Sequence, residues 1–317
     1  MIDLHSDTIY RLWEERREGE SLKKNTFMID LERLEKGHVT GQCFALFTPM
    51  YEHRVKGKDL SCWEVVNQMH DTFSSEIALA GIPQLKNIEE TNDGKPHAIL
   101  TTEEGSILEG DISRLQTLKE WGVKIFGFTW NYENELAYPN SEDSTIMNKG
   151  LKEKGIEALE ECERLGILVD VSHLNDGGFY DIASRAKKPF IATHSNSRAM
   201  TDVTRNLTDD MLRVLADHGG VAGLNLCPAF LRTNDSTERK SRVEDMVRHI
   251  KHIVEIAGED VVAIGSDLDG IGGELEINGP DKFYLLENSL VKAGFSSYLI
   301  DKLFKDNAYR VFKEVQA

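Results

Sequence analysis

The sequence predicts an α/β fold, a (β/α)8 TIM barrel, on three observations. Eight short β-rich runs, each closing on small or polar residues, recur along the 317 residues. Longer segments of helical pattern separate them, and strand alternating with helix implies parallel pairing. Side chains able to do chemistry fall at the carboxyl ends of five of these runs, where a barrel of this kind carries its site. A doubly wound open sheet is the alternative topology. No Pro/Ser linker, low-complexity tract or short repeat divides the chain, so a single domain over residues 1–317 is expected.

The runs follow in order. "MIDLHSD" starts with apolar Ile2 and Leu4 and ends in His5 and Asp7. "TGQCFALFTP" is next, then "HAILTTEEG", which closes on Glu103, Glu104 and Gly105. The stretch around 50–96 between them is long for one crossover, which predicts an inserted helix and loop beside the barrel mouth. "VKIFGFTW" leads into Trp130 and Asn131, "GILVDVSH" ends in His173, and "PFIATHS" carries His194. "GGVAGLNLC" and "DVVAIGSDLDG" complete the set, the last ending in Asp267 and Asp269. The segments "DISRLQTLKEWG", "GLKEKGIEALEECERLG" and "TDDMLRVLADHGG" between runs close with Gly at the C-cap position. In "VEDMVRHIKHIVEIAG", Val243, Met246, Val247, Ile250, Ile253, Val254 and Ala257 step by three and four, the stripe of a helix packed on a sheet. His249 and His252 fall off that stripe and are expected to be solvated.

A net charge of −17 opposes nucleic-acid or anionic-lipid partners, both of which need a basic surface. No apolar run reaches the ~20 residues that span a bilayer, and a native start at Met1 without a secretory signal is expected, since the residues before His5 leave no space for one. Cys43, Cys62, Cys162 and Cys227 show no CxxC spacing, so buried thiols in a reducing cytoplasm are expected.

Side chains two apart on a strand face the same way, so His5 and Asp7 can hold one metal. His173 and His194 can form a second cluster, and a glutamate from the third run can bridge the two. Two metals ~3.5–4 Å apart with a hydroxide between them form a hydrolytic arrangement. Each piece alone is weak: an isolated HxD is ordinary, and a single histidine after a strand is usually a hydrogen-bonded rim residue. The conjunction carries the reading. "DGIGGEL" lacks dinucleotide spacing, Glu133 and Glu135 are equally consistent with solvated surface, and no GxSxG or Cys/His set supports a covalent nucleophile.

"DLHSD", "EEGS", "LVDVSH", "IATHSNSRAM", "TRNLTDDML" and "IGSDLDG", in this order, resemble the membrane (renal-type) dipeptidase family. These are zinc metallopeptidases on an amidohydrolase-type barrel. The resemblance runs end to end and includes "KDNAYRVFKEV" near the carboxyl terminus. It implies that His5 and Asp7 bind a first zinc, that His173 and His194 bind a second, and that Glu104, the glutamate directly before glycine, bridges both. It also implies that Arg205 receives a dipeptide's carboxylate, that Asp267 is the catalytic acid/base and that Asp269 supports the loop. Two zinc ions, with other divalent metals open, and a homodimer complete the expectation. One departure stands out: Trp130 occupies the place of the family's carbonyl-polarising histidine, with Asn131 as a candidate substitute in substrate binding. Rival readings are hydrolysis of another amide, a lactam or a phosphoester on the same metals, and a non-catalytic metal-binding relative.

Overall fold

The structure is a computed structural model and describes residues 1–48, 60–233 and 237–316. Seven parallel strands form one curled sheet: β1 (Ile2–Asp3), β2 (Gly41–Leu46), β3 (Ala98–Thr102), β4 (Ile125–Gly127), β5 (Leu168–Asp170), β6 (Ala222–Leu224) and, after the short β7 (Lys240–Ser241), β8 (Val262–Ile264). Their order is β5-β4-β3-β2-β1-β8-β6. The "PFIATHS" segment fills the remaining gap through parallel bridges Asp170↔Ile191 and Ala192↔Ala222. Val171 N–H donates to Ile191 O and Gly223 N–H to Ala192 O, each at 2.8 Å. The ring therefore closes through the sixth run, which is too briefly paired to count as a regular strand. A Cβ on Gly223 or Gly265 would meet Thr193 O at 1.8 or 1.7 Å, so glycine there lets this segment lie close. β7 pairs with β9 (Glu274–Leu275) in a separate two-stranded sheet.

Alternation along the strands sorts the core into two layers. Ile2, Leu4, Cys43, Ile99, Ile125, Leu168, Ile191, Val221 and Ala263 form the inner cluster. Phe44, Leu100, Phe126, Val169, Leu224 and Ile264 belong to the outer one, with Met246, Ile250 and Ile253 of the helix Val243–Ala257. The last helix, Asn307–Gln316, adds Ala308, Val311, Phe312 and Val315 to the inner cluster. Asn307 Nδ2 donates to Val262 O at 2.8 Å, and Arg310 donates to Gly219 O and Asp260 O, which places this helix across the amino ends of the strands.

The β2–β3 connection carries the helix Cys62–Ala80 and a 3-10 turn Ile88–Asp93, and its residues 50–59 lie outside the described ones. Ser61 and Glu64 cap that helix reciprocally, and Gly81 ends it with φ 72°. One expectation fails. His249 is fully buried, because the loop after His194 folds over its helix: Ser197 N–H donates to His249 Nδ1 at 3.2 Å, and Thr201 Oγ1 lies 3.1 Å from Nε2. His252 is partly buried beside Asp209, at 2.7 Å. Cys43, Cys62 and Cys162 are buried and Cys227 half-buried, all as free thiols. Among the described residues no helix is long and apolar enough to cross a membrane.

Candidate metal centre

Regular pairing of β1 stops at Asp3, and Asp7 already stands at the N-cap of the helix Thr8–Glu14. Its carboxylate caps no backbone N–H and turns to the barrel mouth instead. His5 Nε2 lies 3.5 Å from Asp7 Oδ2, 3.5 Å from Glu103 Oε2 and 3.9 Å from Asp267 Oδ1. On the far side of the same carboxylate, Glu103 Oε1 is 3.1 Å from His173 Nε2 and 3.3 Å from His194 Nε2. Those two histidine nitrogens face one another at 3.0 Å. Five donor residues from four parts of the chain thus meet around one glutamate.

That glutamate is Glu103, a correction to the expected Glu104. The two neighbours face opposite ways. Ile99 is inside the barrel, and period two carries the inward face through Thr101 to Glu103. Glu104 turns outward, where its carboxylate accepts from Ser106 N (2.8 Å), Trp130 N (3.0 Å) and Asn134 Nδ2 (2.7 Å). It is fully buried, and burial pushes its pKa up to about 7 against the pull of those donors. Glu104 ties the loops after β3 and β4 together.

A further set of partners holds the histidines. Thr193 Oγ1 donates to Asp170 Oδ2 at 2.5 Å, so it accepts from His194 Nδ1–H at 2.7 Å. Asp170 Oδ1 also accepts from Ser172 N and Thr193 N, each at 2.9 Å. His173 Nδ1–H donates to Asn131 Oδ1 at 3.0 Å. Both rings are thereby fixed as the tautomer whose Nε2 lone pair points at Glu103. Asn131, expected to touch substrate, orients a histidine. His173, Asp267 and Asp269 hold left-handed φ of 67°, 61° and 72°. Such backbone costs ~1–3 kcal/mol per residue and clusters where side-chain aim matters more than stability.

Electrostatics agree with a cation site. Burial, aided by Arg205 and His5, pushes His173 and His194 well below the usual imidazole pKa, so both are neutral. Burial acts the same way on His5, but Glu103 and Asp7 outweigh it and hold that pKa well above the usual value. Burial, together with Asp7, raises Glu103 and Asp267, and His5 opposes this. His5 Nε2 and Asp7 Oδ1 are buried without any hydrogen-bond partner, an arrangement that costs ~1–3 kcal/mol for each group. Donor atoms of His5, Glu103 and His194 lie within 4.8 Å of one another, as do those of His5, Asp7 and Asp267. Desolvated imidazole nitrogens and carboxylate oxygens, with the His173 and His194 rings neutral, fit divalent metal. A Cβ on Gly270 would strike Asp7 Oδ2 at 2.0 Å, so the cradle admits only glycine there.

Asp267 Oδ2 accepts from Asn225 Nδ2 at 2.8 Å, while Asp269 accepts from Thr8 Oγ1 and Met28 N. Arg205 is 7% exposed; Nη1 donates to Ser195 Oγ at 2.6 Å, and Nε and Nη2 are buried without a partner. Two adjoining cavities share this rim. One of about 430 Å³ is lined by Asp7, Glu103 and Asp267 with Tyr10, Phe47 and Trp130. The other, about 540 Å³, is lined by Arg205, Asn140 and Thr204, and Asn131, His173 and Phe230 border both. Sequence reasoning named Glu103 but preferred its neighbour, and it missed Asp170, Thr193 and Asn225. All three lie on or just past predicted strands, and the rule that found the histidines reaches Asn225 as well.

Fold and site together define a hydrolase of the metal-dependent barrel type. The profile of the membrane dipeptidases, peptidase family M19, matches residues 1–317. The chain belongs to that family, which places it among the metallo-dipeptidases. It is 36% identical to an uncharacterized protein in the pqqA 5' region of Klebsiella pneumoniae, over 72% of this chain and 86% of that one. An uncharacterized dipeptidase of Schizosaccharomyces pombe is 27% identical over 100% of this chain and 80% of its own. Among solved structures, a metallo peptidase from Rhodobacter sphaeroides, liganded with a phosphinate mimic of L-Ala-D-Ala, superposes with TM-score 0.86 at 26% identity, over 99% of this chain and 98% of that one. The family M19 dipeptidase AC superposes with TM-score 0.87 at 27% identity, over the same shares.

Proposed function

We propose that this protein hydrolyses dipeptides at a binuclear metal centre. One site is His5, Asp7 and Glu103, the other Glu103, His173 and His194. The observation that carries the reading is the position of Glu103, one oxygen toward His5 and the other toward the two paired histidines. Three imidazoles and two carboxylates suit zinc best, with other borderline divalent ions next. The bound pair supplies Lewis acidity toward the scissile carbonyl and lowers the pKa of water towards ~7.

The chain's own groups do the rest. Arg205 offers an unpaired Nε/Nη2 edge, the geometry that takes a carboxylate through two parallel hydrogen bonds. It therefore grips the substrate's free carboxyl end. Asn225 holds Asp267 at the mouth, where its other oxygen can take a proton from the attacking water and return it to the leaving amine. Such a shuttle is worth roughly 10²–10⁴ in rate. Asn131 and Thr193 keep the histidine rings aimed, and burial of the donors excludes bulk water.

Metal analysis with a panel of L,L and L,D dipeptides tests this. Two divalent ions per chain and dipeptide turnover are expected. A purified protein that binds no divalent metal, or that with metal cleaves only a phosphodiester or lactam, overturns the reading. The same reading includes a homodimer and a cytoplasmic location, checked by sedimentation and cell fractionation.

A further inference from the structure

We propose that Tyr10, Phe47 and Trp130 form the subsite for the side chain of the dipeptide's amino-terminal residue, and that it selects large apolar, above all aromatic, side chains. This rests on the dipeptidase reading and adds a substrate class to it. Three anchors along the mouth set the direction. Arg205 marks the carboxylate end in the larger cavity, and the metal donors mark the scissile bond. The aromatic residues line the other cavity, which Arg205 does not reach. A substrate held by its carboxylate at Arg205 and by its carbonyl at the donors must send its amino-terminal residue there.

The chemistry of that cavity favours an apolar occupant once its charged groups are accounted for. Asp7, Glu103 and Asp267 belong to the metal centre. Asp269 is held by Thr8 and Met28. Arg11 and Glu15 neutralise one another at 2.9 Å. Beside these groups, Phe47 packs edge-on to Tyr10 at 5.3 Å and to Trp130 at 4.6 Å, a continuous aromatic wall. Ile271 and Gly272 also line this cavity. Its volume of about 430 Å³ leaves space for an aromatic ring, with edge and face positions that reward one. Trp130, standing where the resemblance leads one to expect a histidine, is thus a specificity-determining residue.

The test is a series X–D-Ala and X–L-Ala with X as Gly, Ala, Leu, Phe and Trp, assayed on the metal-loaded protein by kcat/KM. Burial of a Phe-sized side chain is worth roughly tenfold to a hundredfold, so kcat/KM should climb from Gly to Phe by at least tenfold, mostly through KM. Trp130→Ala should lower the Phe-to-Ala ratio severalfold, with Phe47→Leu as the milder second variant should the first misfold. A flat series, or one that favours charged X, overturns the subsite while leaving dipeptide cleavage in place. Failure to cleave any member with two metals bound overturns the underlying reading instead.

Discussion

At the amino end of the barrel, Phe312 and three neighbours on the last helix close the interior with carbon; at the carboxyl end, buried imidazoles and carboxylates face one another with atoms left unpaired. The same eight strands carry both ends. Below, the inward cluster of Ile2, Ile99, Ile125, Leu168 and Ala263 is apolar, and none of these residues holds a left-handed φ. Above, three site residues hold left-handed φ, and donors crowd within 3–4 Å. The difference teaches that the lower half stabilises an upper half built against its own stability, the division expected of this architecture.

The neighbouring glutamates give the sharpest way to break this comparison. Glu103→Gln should cost more than the roughly 10–100-fold in metal affinity typical of an outer partner, with turnover falling at least in proportion. Glu104→Gln should retain metal and lower thermal stability instead, because hydrogen bonds to a charged group are worth ~1.5–3 kcal/mol. Equilibrium dialysis and thermal melts on both variants decide it; equal metal loss in the two would show that the side-chain directions are misread.

At the opposite end, Phe312→Ala should cost ~3–5 kcal/mol in denaturant unfolding, with metal affinity of the folded protein unchanged. A parallel loss of affinity would mean the two ends are not separable. Thr193→Val should weaken metal binding roughly 10–100-fold by freeing the His194 tautomer, and Thr193→Ser should restore it. A Val variant that binds as tightly as wild type removes the Asp170–Thr193–His194 link from the site.

The smallest effect concerns His249, whose pKa burial, aided by Arg248, pushes down to about 3. The unfolded chain binds this proton near pH 6.5 and the folded one does not. Stability is thus fully present above pH 6.5 and falls by up to ~1.4 kcal/mol per pH unit as pH drops through the window toward 3. Urea unfolding of metal-free protein between pH 7.5 and 5 should show this slope, and His249→Asn should flatten it. An unchanged slope in the variant assigns the acid sensitivity to other groups.

All eight strand positions were legible in the sequence because each run is short, apolar and punctuated. The site was legible as a conjunction and blurred in its details. Alternation alone separates Glu103 from Glu104, once Ile99 is known to face inward, and it aims Asp267 correctly from Ala263. It fails for His5, His173 and His194, and at His173 a left-handed φ of 67° breaks the alternation. His249 shows a second limit: the helical stripe places it on a polar face, and only the loop from Asn196 to Thr201, packed across that face, buries it. Asn131 borders both cavities and also meets His173, a contact that sequence spacing does not reveal.

The pairing of Asp3 with Ile264 seals the ring, and it joins segments separated by most of the polypeptide. A ribosome must therefore release nearly the entire chain before the first strand finds its second neighbour. His5 and Asp7 meet Asp267 only through that late seam, so Asp267 would join the other donors last, and a nascent chain stalled before the final strand would lack it.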